Sequence, residues 1–456
     1  MPILPIDSGR YGSKKMREIF EEKKKLQYQL DFEAEVALAQ AKVKLIPKAA
    51  ANDISKNARS DAITLERVKK LEKTTEHDTA AVVEALSERC ALAAKPWVHY
   101  GLTSSDVVDT SMCIQLMDAF EILEPKLSKL CLLLIEKAKT YAKTPAVGRT
   151  HGQHASIISF GLKFAVWANE IAQHIDRIKE GKKRFLICKT LGVVGTGSLM
   201  GVKAVKVQAI VAQQLGLHPI EAATQIIPRE RFAEAQFIIS LIGSTLEKIG
   251  TEIRNLQRTE IGEVQEPFRE GQIGSSAVPV KKNPIKSERV CSLARILRSL
   301  LTVSFENIPS WHERDLTNSA NERFTLPISL ILLDEMLNAM LNIIDGLKIN
   351  ENRIRDNIEI SGGQIYSEFI LEALIKKGIP RFSAYREIQR LAFQANDDKE
   401  RFYEAVNKDP MISRELTISE LKRIFNAANH LSASRIIITK VANRTTKAVT
   451  KSRIKP

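Results

Sequence analysis

Apolar residues recur every three to four positions along most of this chain, the spacing that lines one face of an α-helix. Between Asp106 and about Asn352 the pattern predicts long helices over 106–142, 156–184, 203–216, 229–262, 284–307 and 325–347. In the fourth of these, Phe232, Ala235, Ile239, Ile242, Leu246, Ile249, Ile253 and Leu256 form one stripe. Pro228 stands at its start, where the missing N–H is harmless. Periodic stretches beyond about 25 residues point to bundled helices. Residues 1–104 read as a smaller helical domain, with a charged helix over 14–40. Residues 105–352 form the long-helix domain, and 353–456 a third domain of short helices with a turn at Ser361-Gly362-Gly363. The expectation is an all-α chain of three domains. No period of 20–50 residues marks a solenoid.

Composition sharpens this picture. The length of 456 residues accommodates two or three domains. Leu, Ile, Ala, Glu and Lys dominate and aromatics make up 6%, a balance that favours helix over sheet. No run of about 18 uncharged apolar residues occurs, so no membrane span is expected. Met1-Pro2-Ile3-Leu4-Pro5 lacks the charged and apolar regions of a secretion signal. The five cysteines, at 90, 113, 131, 188 and 291, are scattered and form no Cys-x-x-Cys pair. A reducing cytoplasm and no structural zinc are expected. The net charge of +14 allows two readings: a nucleic-acid binder, or a site for a polyanionic metabolite on a basic protein. Part of that charge sits at the end, where Leu431 to Pro456 holds seven Lys/Arg and no acid. Such a run is more often a solvated face than a nucleic-acid arm.

Candidate chemistry lies where the helical pattern breaks. Gly274-Ser275-Ser276-Ala277-Val278-Pro279-Val280-Lys281-Lys282-Asn283-Pro284 is a loop between two long helices. Its consecutive N–H groups, with Lys281 beside them, suit a developing anion; a Pro-capped turn accounts for the same composition. Gly148-Arg149-Thr150-His151-Gly152-Gln153-His154 is a second break. No Cys, Asp or Glu sits at ligand spacing from its histidines, so a metal is not expected. A single imidazole suits proton transfer. Thr103, Ser104 and Ser105 stand at a helix start, suited to capping and equally to a carboxylate or phosphate. Thr74 or Thr75 is expected to cap a helix with His77 and Asp78 in its first turn. Glu288 opens the helix after the long loop, and Arg314 and Arg323 follow. Arginine pairs bidentately with phosphate, or with structural carboxylates. Gly192–Gly201 is glycine-rich, but no strand precedes it and no Gly-Lys-Ser/Thr ends it, so a nucleotide-binding loop does not apply.

The 274–284 stretch resembles the signature Gly-Ser-Ser-x-Met-Pro-x-Lys-x-Asn-Pro of the fumarase/aspartase superfamily, with Val278 where the family usually has Met. Five further elements resemble its adenylosuccinate lyase branch: Arg10-Tyr11, His77-Asp78, His99 to Asp106, Thr150-His151-Gly152-Gln153, and His312-Glu313-Arg314-Asp315. Thr224-Gln225 matches a sixth at lower specificity. The resemblance implies a central helix bundle that assembles as a homotetramer with active sites shared among chains. It also implies release of fumarate from succinyl-purine substrates, with no metal or organic cofactor. Ser276 would be the base, His151 the acid, Glu288 the group that orients it, and Lys281 a stabiliser of the carbanion, with Asn283. Arg10, Tyr11, His77, Asp78, His99, Thr103, Ser104, Thr150, Gln225, Ser275, Asn283, Arg314, Ser319 and Arg323 would bind substrate. A helix of 30 residues spans roughly 45 Å, which agrees with sites built from several chains. The rival readings are argininosuccinate lyase, carboxymuconate cycloisomerase, or a basic helical scaffold for nucleic acid, the last disfavoured.

Overall fold

The computed structural model describes residues 4–397 and 401–453. The start of the amino-terminal segment and the last three residues of the basic tail lie outside the described residues. The chain divides into two compact units, each drawn from three separated segments.

The first unit comprises Met1–Leu127, His174–Leu246 and Val290–Asn338. It opens with α1 (Lys14–Phe20), α2 (Glu22–Lys42), α3 (Lys48–Asn57), α4 (Leu65–Thr75) and α5 (Asp78–Arg89). Leu30, Ala51, Ile54, Ala81 and Leu86 share one core among these helices. The capping expectation for α5 is corrected: Glu76 adopts a left-handed conformation and His77 is the N-cap, its Nδ1 accepting from the Ala80 N–H at 3.3 Å. An imidazole nitrogen serves here as well as a hydroxyl because only a lone pair aimed at the first turn is required.

Long helices follow: α6 (Ser104–Thr140), α7 (Phe160–Phe185), α8 (Ala204–Leu215), α9 (Glu230–Leu256), α10 (Ile285–Glu306) and α11 (Ser319–Gly346). They match the apolar periodicity closely. All eight stripe residues of α9 are buried, none more than 5% exposed. That helix ends earlier than its periodicity suggests. Gly262 turns the chain at φ +61°, and the Gln257 side chain accepts from Glu266 N–H and donates to the Lys282 carbonyl. By composition α11 is long and apolar enough to cross a membrane, but 67% of its apolar window is buried within the fold.

The second unit comprises Ser128–Gln173, Glu247–Arg289 and Ala339–Pro456. It contains an antiparallel hairpin, β1 (Pro145–Thr150) and β2 (Gln153–Ser159), where the periodicity suggested loop and helix. Its later helices are α12 (Glu351–Glu359), α13 (Ser367–Lys376), α14 (Arg381–Asp397), α15 (Phe402–Lys408), α16 (Pro410–Glu415), α17 (Ile418–Ile424) and α18 (Ser432–Arg453). Val147 and Ile157 of the hairpin join one apolar core with Ile358, Ile370, Leu374, Leu391, Phe402 and Leu421. The carboxy-terminal helices, in which no chemistry is legible from sequence, are therefore what the hairpin is rooted in.

Candidate active site

In the first unit a cleft of about 570 Å³ opens beside the start of α6. Asp106 fixes that start. Its carboxylate accepts from the Thr103 N–H (3.0 Å), the Gly192 N–H (3.0 Å) and Lys189 Nζ (2.5 Å). Asp106 and Lys189 have fully buried side chains, a pairing that is stable only while both partners are present. The glycine-rich 192–201 segment is thus a turn that donates to a helix-start carboxylate. With Asp106 held, Ser104 and Ser105 line the cleft, and Ser105 Oγ accepts from Arg314 Nη1 at 2.7 Å.

Of the residues the sequence assigns to substrate, this cleft gathers His77, Asp78, Ser104, Arg314, Ser319 and Arg323. Arg323 Nη2 donates to Asp78 Oδ2 at 2.7 Å, although 245 positions separate them. Burial alone would raise the Asp78 carboxyl; the Thr79 amide and Arg323 overcome this and hold it below the usual carboxylate range. The cleft also holds residues that sequence reasoning missed: Lys25, Asp109, Arg229, Asn318 and Glu322. Arg229 grips Asp109 with both Nη atoms, at 3.1 and 2.8 Å. Its position after Pro228 at a helix start was a visible signal, but its partner 120 positions away was not.

Other assigned residues lie elsewhere in this unit. Arg10 and Tyr11 precede α1, with Arg10 exposed. His99, at φ +61°, hydrogen-bonds through Nδ1 to the buried Glu33 carboxylate at 2.6 Å. Burial disfavours its charge, but Glu33 outweighs this and raises the imidazole pKa. The Gln225 N–H donates to the Glu313 carbonyl at 3.2 Å. None of these, nor Thr103, lines the cleft.

The catalytic candidates belong to the second unit. His151 and Gly152 are the two turn residues of the hairpin, at φ +53° and +76°, between the paired Thr150 and Gln153. Two positive φ values in a two-residue loop match the twist of the flanking strands. They present His151 at the tip, exposed, with Thr150 exposed beside it. Below the tip, Arg149 pairs with buried Glu263 at 2.6 Å, and Asn357 donates to the same oxygen at 2.8 Å.

The signature loop is closed at its neck. A Cβ on Gly274 would stand 2.1 Å from the Lys281 carbonyl oxygen, so only glycine fits there. Asn283 Nδ2 donates to the Gly274 carbonyl at 2.9 Å. Ser275 Oγ accepts from the Ala277 and Val278 N–H groups at 3.3 and 3.1 Å. Val278 contributes its backbone N–H to this turn and is 47% exposed. Ser276 and Lys281 are exposed. The loop is anchored where α10 begins: buried Glu266 accepts from the Lys286 and Ser287 N–H groups at 3.2 and 2.7 Å, a carboxylate at a helix N-terminus. Glu288 lies exposed in the first turn of α10, and no hydrogen bond joins it to His151 among the described residues. Among the described residues no three His, Cys, Asp or Glu side chains gather as a metal-binding set.

A lyase family model matches residues 9–297, and a model described as the adenylosuccinate lyase C-terminus matches 363–441. The chain is 43% identical over 441 residues to an adenylosuccinate lyase of Pyrococcus horikoshii, covering 97% of each. It is 40% identical over 442 residues to one of Methanocaldococcus jannaschii, covering 97% of this chain and 96% of that one. Among solved structures, a 3-carboxy-cis,cis-muconate lactonizing enzyme from Pseudomonas putida superposes with a TM-score of 0.87 at 29% identity, covering 98% of this chain and all of that one. A fumarate lyase from a Mesorhizobium species superposes at 0.88 and 27% identity, covering 97% and 100%. The fold is therefore shared with enzymes of differing activity, as is common for a scaffold whose chemistry lies in its loops. The higher identity, sustained over nearly the whole length, separates the branches: the chain belongs to the adenylosuccinate lyase family.

Proposed function

We propose that this chain cleaves adenylosuccinate to AMP and fumarate, and the succinylated aminoimidazole carboxamide ribotide to its carboxamide and fumarate. The observation that carries this reading is the cleft at the start of α6. There Arg314, Arg323, Ser104 and Ser319 converge beside a helix N-terminus, a donor set suited to a phosphate group. The reaction is a β-elimination. A base removes the proton next to a carboxylate, and the resulting carbanion is held as a doubly charged aci-carboxylate. Ser276 is the proposed base, with its alkoxide stabilised locally. Lys281 and the loop amides hold the developing charge. Asn283 has an N–H committed to the Gly274 carbonyl, so its first task is to keep the loop closed. His151 gives the departing nitrogen its proton, oriented by Glu288.

The working form is proposed to be a cytoplasmic homotetramer. Val166, Phe237, Ile296 and Phe305 are 43–49% exposed on α7, α9 and α10, apolar area that a bundle of several chains would cover. His151 and the signature loop stand exposed, as residues completing a neighbour's site would. All five cysteines are buried and scattered along the chain, which suits a reducing compartment. Fumarate release from purified protein, followed spectrophotometrically with adenylosuccinate, tests the reading. Release from argininosuccinate instead, or steeply salt-dependent RNA binding without lyase activity, would reject it.

A further inference from the structure

Asp109 and Glu322 compete for one arginine in the cleft, and they share it unequally. Asp109 takes the whole guanidinium fork of Arg229 and also accepts from the Ile227 N–H at 2.8 Å. Glu322 is left with the edge of the same group. Its Oε1 lies 3.2 Å from Arg229 Nε, but that N–H is not aligned to donate to it. The hydrogen bond Glu322 does receive is neutral, from Asn318 Nδ2 at 2.8 Å. Its side chain is 19% exposed. A buried carboxylate short of aligned cationic donors is the one of such a pair that gives way when negative charge arrives. The charged groups around it are Asp109 from α6, Arg229 from the start of α9, and Arg314 from the segment before α11. On α11 itself, Arg323 is committed to Asp78. The cleft wall carries Lys25, Arg229, Arg314 and Arg323 against Glu22, Glu72, Glu76, Asp78, Asp109 and Glu322. With carboxylates this dense, a dianion placed on Arg314 and Arg323 meets a lining that is not yet electrostatically prepared for it.

We propose that Glu322 takes up a proton when a phosphate dianion binds in this cleft, so that nucleotide affinity is set by the protonation state of Glu322. The proposal rests on reading the cleft as the phosphate site. Glu322 is then a positioning residue: neutral, it no longer competes with the dianion for Arg314 and still accepts from Asn318. Before ligand binds, burial has already raised the Glu322 carboxyl to about 7, with Arg229 opposing. A dianion nearby raises it further, on the order of one pH unit. By reciprocity the protonated protein then binds the dianion about tenfold more tightly.

Calorimetric titration with AMP at pH 7.5, in two buffers of different ionisation enthalpy, measures the proton directly. AMP is already dianionic there, its second phosphate pKa being about 6. The wild type should absorb roughly half a proton per site, and its AMP affinity should fall about fivefold between pH 7 and pH 9. Glu322→Gln should bind AMP with no proton uptake and a flat affinity over that range. Buffer-independent heats in the wild type overturn the proposal, and that measurement stands even if the variant does not fold. Unchanged uptake in Glu322→Gln also overturns it, by assigning the proton to another group. Failure of the wild type to bind AMP overturns the reading of the cleft itself, and the proposal with it.

Discussion

Arg323 meets Asp78 across the cleft, and that contact sets what its removal does. A charge resting on phosphate stays put during the elimination, so it contributes mostly uniform binding. Arg323→Ala should therefore raise KM by roughly tenfold to a hundredfold, the scale of a lost charge-assisted hydrogen bond, while kcat changes little. The truncation also leaves Asp78 without its cation and facing the incoming anion. Asp78→Ala in the same chain should recover part of the loss. Steady-state kinetics decide this: a large fall in kcat at saturation with KM unchanged contradicts the assignment. His99, which the sequence motif places with substrate, has its Nδ1 held by the Glu33 carboxylate, a contact that fixes the orientation of the ring.

Two elements carry the proposed chemistry, and both depend on backbone that other residues disfavour. The hairpin turn holds His151 in a left-handed conformation next to Gly152, an arrangement that costs a non-glycine residue roughly 1 kcal/mol and that the strands below must enforce. The signature loop depends on the approach of Gly274 to the Lys281 carbonyl. Gly274→Ala must open that neck, break the Asn283 clasp and displace Ser276 and Lys281 together. Turnover should fall at least a hundredfold, because a misplacement of about 1 Å in a reacting group costs that much. The melting temperature should move little, since Ser276 to Lys282 is exposed. Near-normal kcat in the folded variant would show that loop closure is not needed.

At the scale of the whole molecule, exposed apolar side chains on α7, α9 and α10 and candidate residues on loops separated by long helices lead to the proposed shared sites. Inactive His151→Ala and Ser276→Ala proteins, dissociated and remixed in equal amounts, should regain activity if the two residues of one site come from different chains. Random reassembly gives each position a one-in-two chance of the intact residue, so about a quarter of wild-type activity returns. Subunit exchange is verified by mass spectrometry of differently tagged chains. Exchange without recovery would show that one chain supplies both residues.

The sequence determined what local physics decides. The apolar period dictated the long helices, because a stripe at that spacing can be buried in only one backbone conformation. The breaks in the pattern marked both loops. The signature motif named the superfamily, and the His-Glu-Arg-Asp element its branch. Tertiary structure decided which charges meet. Arg323 with Asp78, Arg229 with Asp109 and Lys189 with Asp106 are pairs between distant segments, and no spacing rule links such residues. It also made a hairpin of 145–159, since those strands form by burying Val147 and Ile157 among helices more than 200 positions further on. Burial and an unequal share of one arginine set the character of Glu322, and neither exists until the chain has folded.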